Sequence, residues 1–502
     1  MNLQSLINDL VGNTVDKSIP LFLPELVLCG TIIVLLVTRL FPGLDRIPTF
    51  LIAVAGAAVA LWAALPQEGL ATWREQAPVE IFTGMLTYDA ITAFMRVFLM
   101  AFALLFVVLI RMTGLADRYD GQDIYCLLFG ATIGMSIIAS ANHLLSLFLG
   151  VEMASVPSYV LAGVVKGRSR SSEASLKYAV YGAGTAGVML YGVSLLAGVL
   201  NSAHFPTMAM RLAELDIPAK LAGGEETLTV MVLALGGLML GVGLAFKLSA
   251  VPFHFWCPDV FEGASAEVNG FLSVASKAAA LALLIRVGVG FGYSPHEGTT
   301  VLLSPLEATS QSEAAQAARP FRLVADQHVA TERRVIRQLA PVRHFMVMLI
   351  ALVAVVTCTF GNLAAYGQTN IKRMLAYSTI AHAGYMMMPV AAAIALLGES
   401  PESAEMAIST LLLYAGIYFF MNLGAFAIVA FVRNSIHSEE IRDYAGLIRS
   451  APMAAVSLTI IMFSLVGLPP LAGFVGKFRI FQALVEAGGP LMIFLLVAAG
   501  LN

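Results

Sequence analysis

Thirteen stretches of this 502-residue chain are apolar over a length that can cross a bilayer, and nothing else constrains its fold as strongly. A helix rises 1.5 Å per residue, so about 20 apolar residues span the roughly 30 Å hydrocarbon core with every backbone group paired internally. The runs lie near residues 20–41, 47–65, 90–111, 122–140, 143–165, 173–200, 228–250, 268–293, 344–366, 372–397, 407–432, 452–474 and 480–501. Strand-length alternation with regular turns is missing, which disfavours a transmembrane barrel. The chain therefore reads as an all-α polytopic membrane protein of about 13 transmembrane helices. Charged residues make up only 12%, about half the roughly 25% of soluble chains, and hydrophobic residues make up 59%. Polar groups could not cover a water-facing surface of that composition, so a soluble enzyme is excluded. The net charge of −3 speaks against a nucleic-acid partner and against a polybasic membrane-surface mode; the partner is the lipid bilayer itself.

Short loops set the expected orientation through their Lys and Arg content. Lys166, Arg168 and Arg170 form the strongest basic cluster, and parity puts Arg39, Arg46, Arg111, Arg118, Lys372, Arg373, Arg433, Arg442 and Arg449 on the same side. The opposite loops carry Glu68, Glu75, Glu80, Glu214, Asp216, Glu225, Glu226, Glu399, Glu402 and Glu405. This places the N-terminus outside and the basic loops inside. Residues 295–343 fall outside by parity, although they hold six Arg against five acids; at that length the charge rule weakens. The first 19 residues are polar and of mixed charge, without a signal-peptide pattern, so the first run is expected to stay as an anchor.

Cys29, Cys126, Cys257 and Cys358 stand singly, with no zinc or iron–sulfur spacing, so this chain is expected to bind no metal or cluster through its thiols. Gly182-Ala-Gly184-Thr-Ala-Gly187 has the spacing of a dinucleotide loop, but it lies inside an apolar run with no strand before it. Small-residue helix packing is the better reading there, and also at Gly237 and Gly241.

Charges inside the runs are the informative exceptions. Glu152, Lys247, Lys277 and Lys477 each cost roughly 2.5 to 3.5 kcal/mol at a helix centre, which is hard to retain without a use. A Glu152 and Lys247 pair across two helices would be a switchable proton site; a static ion pair or snorkelling side chains are the bland alternative. Pro252 removes a backbone donor close to Lys247 and should free the carbonyl near Leu248, putting polar atoms at membrane depth. A second interrupted run, with Pro469, Pro470 and Lys477, recurs five helices later and so in the opposite orientation, the pattern of an inverted repeat. His254 and His382 read equally as relay members or as hydrogen-bonded packing residues. Lys177 reads as a solvated helix end or as the inner proton inlet, Glu25 as an interfacial residue after Pro24, and His143 as part of a helix connection.

The string Phe246-Lys247-Leu-Ser-Ala-Val-Pro252-Phe-His254-Phe-Trp256-Cys-Pro258-Asp259-Val-Phe-Glu262-Gly263 resembles the seventh-helix signature of the antiporter-like subunits of proton-pumping NADH:quinone oxidoreductase, complex I. Ser273-Val-Ala-Ser-Lys277, Gly361-Asn362, the segment from Gln368 to Tyr385, and Gly467-Leu-Pro-Pro-Leu-Ala-Gly473-Phe-Val-Gly-Lys477 are similar to subunit N in particular. The resemblance covers roughly residues 120 to 500. It implies a bacterial inner-membrane translocase subunit built of N-terminal helices (1–121), a five-helix unit (122–293), a long outer connection (294–343) and a second, inverted five-helix unit (344–502). It implies that Glu152 and Lys247 form a coupled pair, that Lys277 joins two half-channels, and that Lys477 leads to the outer side. It also implies that other membrane subunits are partners, that protons are the cargo, and that NAD, flavin, iron–sulfur clusters and quinone are handled by partner subunits. A cation/proton antiporter subunit, a membrane-bound hydrogenase subunit and a non-conducting scaffold are the alternatives.

Three departures stand against that pattern. Ser265-Ala266-Glu267 replaces the family's Pro-Thr-Pro, which puts the helix break there in doubt. The 295–343 connection is longer than usual. The family has fourteen helices, whereas thirteen runs precede Asn502, so the last helix is absent or the sequence is a fragment.

Overall fold

Each of the thirteen apolar runs falls on helix in the computed structural model, which describes residues 11–41, 48–66, 78–118, 121–217, 220, 227–292 and 334–502. In chain order the helices on the thirteen runs and their breaks are α1 (Leu23–Leu40), α2 (Thr49–Ala64), α3 (Ala90–Thr113), α4 (Gly121–Ser140), α5 (Leu144–Ala162), α6 (Ser169–Leu200), α7 (Thr227–Leu248), α8 (Trp256–Gly263), α9 (Ala266–Gly292), α10 (Ala340–Ala365), α11 (Ile371–Leu396), α12 (Pro401–Ile436), α13 (Pro452–Val466), α14 (Ala472–Ala487) and α15 (Gly489–Leu501). Ten of these, among the described residues, have the length and hydropathy to cross a bilayer; α2, α13 and α15 are shorter apolar helices. The long 294–343 connection lies outside the described residues except for its last ten.

Burial separates the helices into two classes. The most apolar windows of α9 and α11 are 89% and 94% buried, whereas those of α6 and α7 are 22% and 28% buried. Polar side chains on α9 and α11 therefore face protein, while α6 and α7 leave most of their surface uncovered by this chain. The boundaries follow local chemistry. Asp89 caps α3 by accepting from Thr92 N at 2.9 Å, and Asn370 caps α11 by accepting from Lys372 N at 2.9 Å. His143 caps α5 through Nδ1, which accepts from Leu145 N at 3.1 Å. At the end where the acidic loops lie, a short hairpin of β1 (Val79–Ile81) and β2 (Leu86–Tyr88) meets Asn142 and His204.

Two helices are broken where the prolines predicted it. The seventh run stops at Leu248 and resumes as α8, with Ser249 at φ +56° turning the chain out of the helix. The irregular backbone is satisfied by protein: Val251 N donates to Thr357 Oγ1 of α10 at 3.0 Å, and Trp256 Nε1 donates to Phe246 O at 3.0 Å. The twelfth run breaks after Val466, where Gly467 takes φ +90°, a conformation that favours glycine. Here the expected boundaries shift. The run at 452–474 ends as helix at Val466, and the run at 480–501 straddles the tail of α14 and all of α15. Apolar residues flank Pro469 and Pro470 on both sides, so hydropathy does not register the interruption.

The break between α8 and α9 survives without the two prolines. Ser265 Oγ accepts from Val268 N at 3.3 Å, so a serine cap replaces a proline at the start of α9. The glycine reading needs correction. Gly182 packs, since a methyl there would meet the Tyr159 hydroxyl, but Gly184, Gly187, Gly237 and Gly241 face open space. Close approach of α6 and α7 instead uses Gly192, whose methyl would lie 2.7 Å from the Gly236 carbonyl, and Gly243, which faces Met189. Gly236 and Gly243 are seven residues apart and share a face that Gly237 and Gly241 do not.

Candidate functional site

Lys247 is the last residue but one of α7, so the break leaves its side chain beside α5. Its ammonium donates to Ser155 Oγ and lies 5.7 Å from the centre of the Tyr159 ring. Ser155 is one turn beyond Glu152 on the same face of α5. Glu152 and Lys247 are electrostatic neighbours but form no ion pair within 4 Å, and Glu152 Oε1 is buried without a hydrogen-bond partner. The direct partner of Lys247 is thus a hydroxyl, with Glu152 a neighbouring charge and not a contact.

Lys277 is 1% exposed, in the middle of α9. Its Nζ donates to the carbonyl oxygen of Leu248 at 3.3 Å. That carbonyl is the one expected to be freed near Leu248, and it is the C-terminal end of α7, where the helix dipole is negative. Lys477 repeats the arrangement on α14: Nζ donates to Val466 O, the last carbonyl of α13, at 3.1 Å and lies 4.4 Å from the Tyr385 ring centre. Each broken helix therefore ends on an ammonium.

His382 stands between these lysines. It is 4% exposed, its Nδ1 is 2.7 Å from the Tyr414 hydroxyl, and its ring centre is 5.1 Å from that of Tyr418. Both Lys277 and Lys477 act on it electrostatically. Tyr385, Tyr414 and Tyr418 were not singled out beforehand, although their spacing from one another and from His382 on α11 and α12 is the signal that would have found them. His254 is placed differently: its ring packs 4.4 Å from Phe360 of α10 and its Nδ1 has no hydrogen-bond partner.

Lys177 belongs to a charge cluster at the basic end. It pairs with Glu173 at 2.8 Å and Asp259 at 2.9 Å; Arg373 pairs with Asp259 at 2.9 Å and Glu262 at 2.8 Å; Arg170 reaches Glu262 at 3.3 Å. These groups surround a cavity of about 250 Å³. Loops assigned to one side by parity do meet there.

Two charged residues are more buried than their place in the sequence suggests. Glu25, in the first turn of α1, is 0% exposed and pairs with Arg96 at 2.6 Å, holding α1 against α3. Such a pair forms because an isolated buried carboxylate is far costlier than a compensated one. Lys372 is not a solvated loop cation: it is 1% exposed and donates at 2.8 Å to both Glu262 O and Ala264 O, with Glu439 at 2.9 Å. It satisfies the carbonyls that end α8. At the opposite end, Asp89 grips Arg286 with bonds of 2.5 and 2.6 Å. Burial pushes the Asp89 carboxyl up, but the Arg286 guanidinium and Thr92 more than offset this and hold it below the usual carboxylate range. Burial and the nearby His204 ring both push His143 down.

The profile of the family described as NADH:quinone oxidoreductase/Mrp antiporter, transmembrane, matches residues 141–304 and 331–502. A protein of Anaeromyxobacter sp. (strain Fw109-5) named NADH-quinone oxidoreductase subunit N is 35% identical over 491 residues, covering 96% of this chain and 84% of that relative. One of the same name from Desulfitobacterium hafniense (strain DSM 10664 / DCB-2) is 37% identical over 413 residues, covering 81% of this chain and 71% of the relative. Among solved structures, a chain of respiratory complex I from Thermus thermophilus with bound aureothin superposes with a TM-score of 0.63 at 26% identity, covering 95% of this chain and 86% of that one.

Proposed function

The chain belongs to the NADH:quinone oxidoreductase/Mrp antiporter transmembrane family, and we propose that it translocates protons as the subunit N of an NADH:quinone oxidoreductase. Nicotinamide, flavin, iron–sulfur clusters and quinone would be bound by partner subunits, whose electron transfer drives this one. Its basic end faces the cell interior and its N-terminus the outer side of the bacterial inner membrane. Residues 122–293 and 344–502 act as two inverted units joined near Lys277.

The observation that carries this reading is the placement of Lys277 and Lys477 on the last carbonyls of the two broken helices. A helix C-terminus stabilises a cation without supplying a permanent counter-ion, so the ammonium can be neutralised without leaving a buried anion behind. Lys247 sits on a hydroxyl instead, with Glu152 as the neighbouring charge. An opposite charge nearby favours the ammonium, and burial alone disfavours it. A shift in Glu152 would therefore expel the Lys247 proton toward Lys277. From Lys277, the Tyr414 hydroxyl and His382 lie on the way to Lys477, through a transient water chain. Lys177 and its carboxylate partners would collect protons at the inner face, and His254 would line the broken segment.

The test is proton pumping in the assembled oxidoreductase. Lys247→Ala and Lys277→Ala should each suppress the protons moved per NADH oxidised. Unchanged pumping in assembled complex overturns their roles.

A further inference from the structure

Glu267 stands where the family has a proline and, among the described residues, is a buried charge with both oxygens unfilled. It is 0% exposed in the first turn of α9, and neither carboxylate oxygen receives a hydrogen bond. The cation nearest to it, the Arg433 guanidinium of α12, stands 3.7 Å away, too long for a hydrogen bond. A carboxylate kept only as a counter-ion would be expected in direct contact, because a buried acceptor left without a donor costs about 1 to 3 kcal/mol, and more when charged.

Position supplies a use. Arg433 lines a cavity of about 410 Å³ at the basic end, bounded also by Arg168, Asn370 and Glu439, with room for several water molecules. On the other side, Glu267, Gly270, Ser273 and Lys277 recur at spacings of three and four along α9, and the ten residues from Glu267 to Lys277 rise about 15 Å. At Gly270 the seam is tight: a methyl there would lie 3.4 Å from Leu423 and 3.5 Å from Phe426 of α12. Farther along α12, Asn422 is 0% exposed, donates to the Tyr418 hydroxyl at 2.8 Å, and has a side-chain oxygen with no donor. Tyr418 in turn packs on His382. Unfilled acceptors thus stand on both sides of this seam, on Glu267 beside Arg433 and on Asn422 of α12.

We propose that Glu267 carries protons in a second inlet at the basic end, taking them from the cavity beside Arg433 and passing them to Lys277 along the seam between α9 and α12. Water in the cavity gives a proton to the carboxylate, forming the neutral acid; the acid gives it, through the seam, to a neutral Lys277 amine, forming the ammonium and restoring the carboxylate. The charged groups facing this point are Arg433 from α12, Arg168 from the start of α6, and the mutually paired Lys372 and Glu439. The inlet rests on the proton-translocating reading above and is separate from the Lys177 cluster.

The experiment measures NADH-driven proton uptake with a pH-sensitive dye in membrane vesicles containing the whole oxidoreductase. Glu267→Gln keeps shape but cannot carry a proton, and should slow uptake about two-fold relative to NADH oxidation, one of two inlets being lost, while Glu267→Asp retains most of it. Full uptake in Glu267→Gln, together with loss in Lys277→Ala, overturns the inlet and leaves the general reading standing. Full uptake in both overturns the general reading. Should Glu267→Gln fail to assemble, infrared difference spectra of the purified unmodified and Glu267→Asp complexes decide the matter. A protonated-carboxyl band that shifts with the substitution supports the inlet, and the lack of any shift overturns it.

Discussion

Lys277 Nζ lies 3.3 Å from the carbonyl oxygen of Leu248, joining the centre of α9 to the broken end of α7. The ammonium completes a helix terminus that Pro252 left unpaired, and the terminus accepts from it as a dipole, without the formal negative charge that would trap the proton. Structure and exchangeability of the proton come from the same contact.

This separates charge from proton release at Lys277. Arginine stays ionised at any accessible pH. Lys277→Arg should therefore assemble and keep the Leu248 contact, yet pump no better than Lys277→Ala. Pumping at the unmodified ratio of protons to NADH would contradict a proton-releasing role.

Ser155 holds the Lys247 ammonium beside Glu152. A hydrogen bond to a charged group is worth about 1.5 to 3 kcal/mol, a factor of about 10 to 100. Ser155→Ala should slow proton movement by about that factor, whereas Ser155→Thr, which keeps the hydroxyl, should restore most of it. Stopped-flow dye measurements in vesicles would show whether the two substitutions differ.

The second break depends on Gly473. A methyl there would lie 1.7 Å from the Ser464 carbonyl oxygen, a backbone atom that cannot turn aside. Overpacking of this kind costs about 1 to 3 kcal/mol, so Gly473→Ala should lower the thermal midpoint of the purified protein. Gly184, which faces open space, is the control: Gly184→Ala should leave the midpoint unchanged or raise it. Equal behaviour of the two variants would mean that the break is not under this constraint.

The Asp89–Arg286 clasp predicts a change in the sign of pH dependence. With its carboxyl held below the usual range, Asp89 contributes stability that is complete above the ordinary Asp value and is lost as pH falls through its lower folded value. In Arg286→Ala both lowering effects of the guanidinium are gone, and burial, the largest influence, raises the carboxyl against the Thr92 hydrogen bonds alone. The variant should then gain stability as pH falls through the raised value. Thermal unfolding in detergent between about pH 3 and 6 tests this; parallel pH profiles for the two proteins would rule it out.

Much of this was legible before any coordinates. Hydropathy runs located the helices because membrane burial acts over 20 consecutive residues, and the breaks announced themselves through Pro252, Pro469 and Pro470. Partners of buried polar atoms were not legible. Ser155 looks like any helical serine, Lys372 looks like a loop cation, and Glu25 looks interfacial beside Pro24, because each is explained only by a residue on another helix.

What the amino-acid order determined by itself was the solvent, the helical class, the two interruptions, and the few charges worth explaining. Those follow from local periodicity and from the price of charge in hydrocarbon. Tertiary structure alone decided that Lys247 meets Ser155, that Lys277 meets the end of α7, that His382 meets Tyr414, and that Glu267 is sealed beside Arg433. These pairings join residues from 29 to 166 positions apart. Only helix packing brings such groups within the 3 to 4 Å at which a buried charge finds its partner.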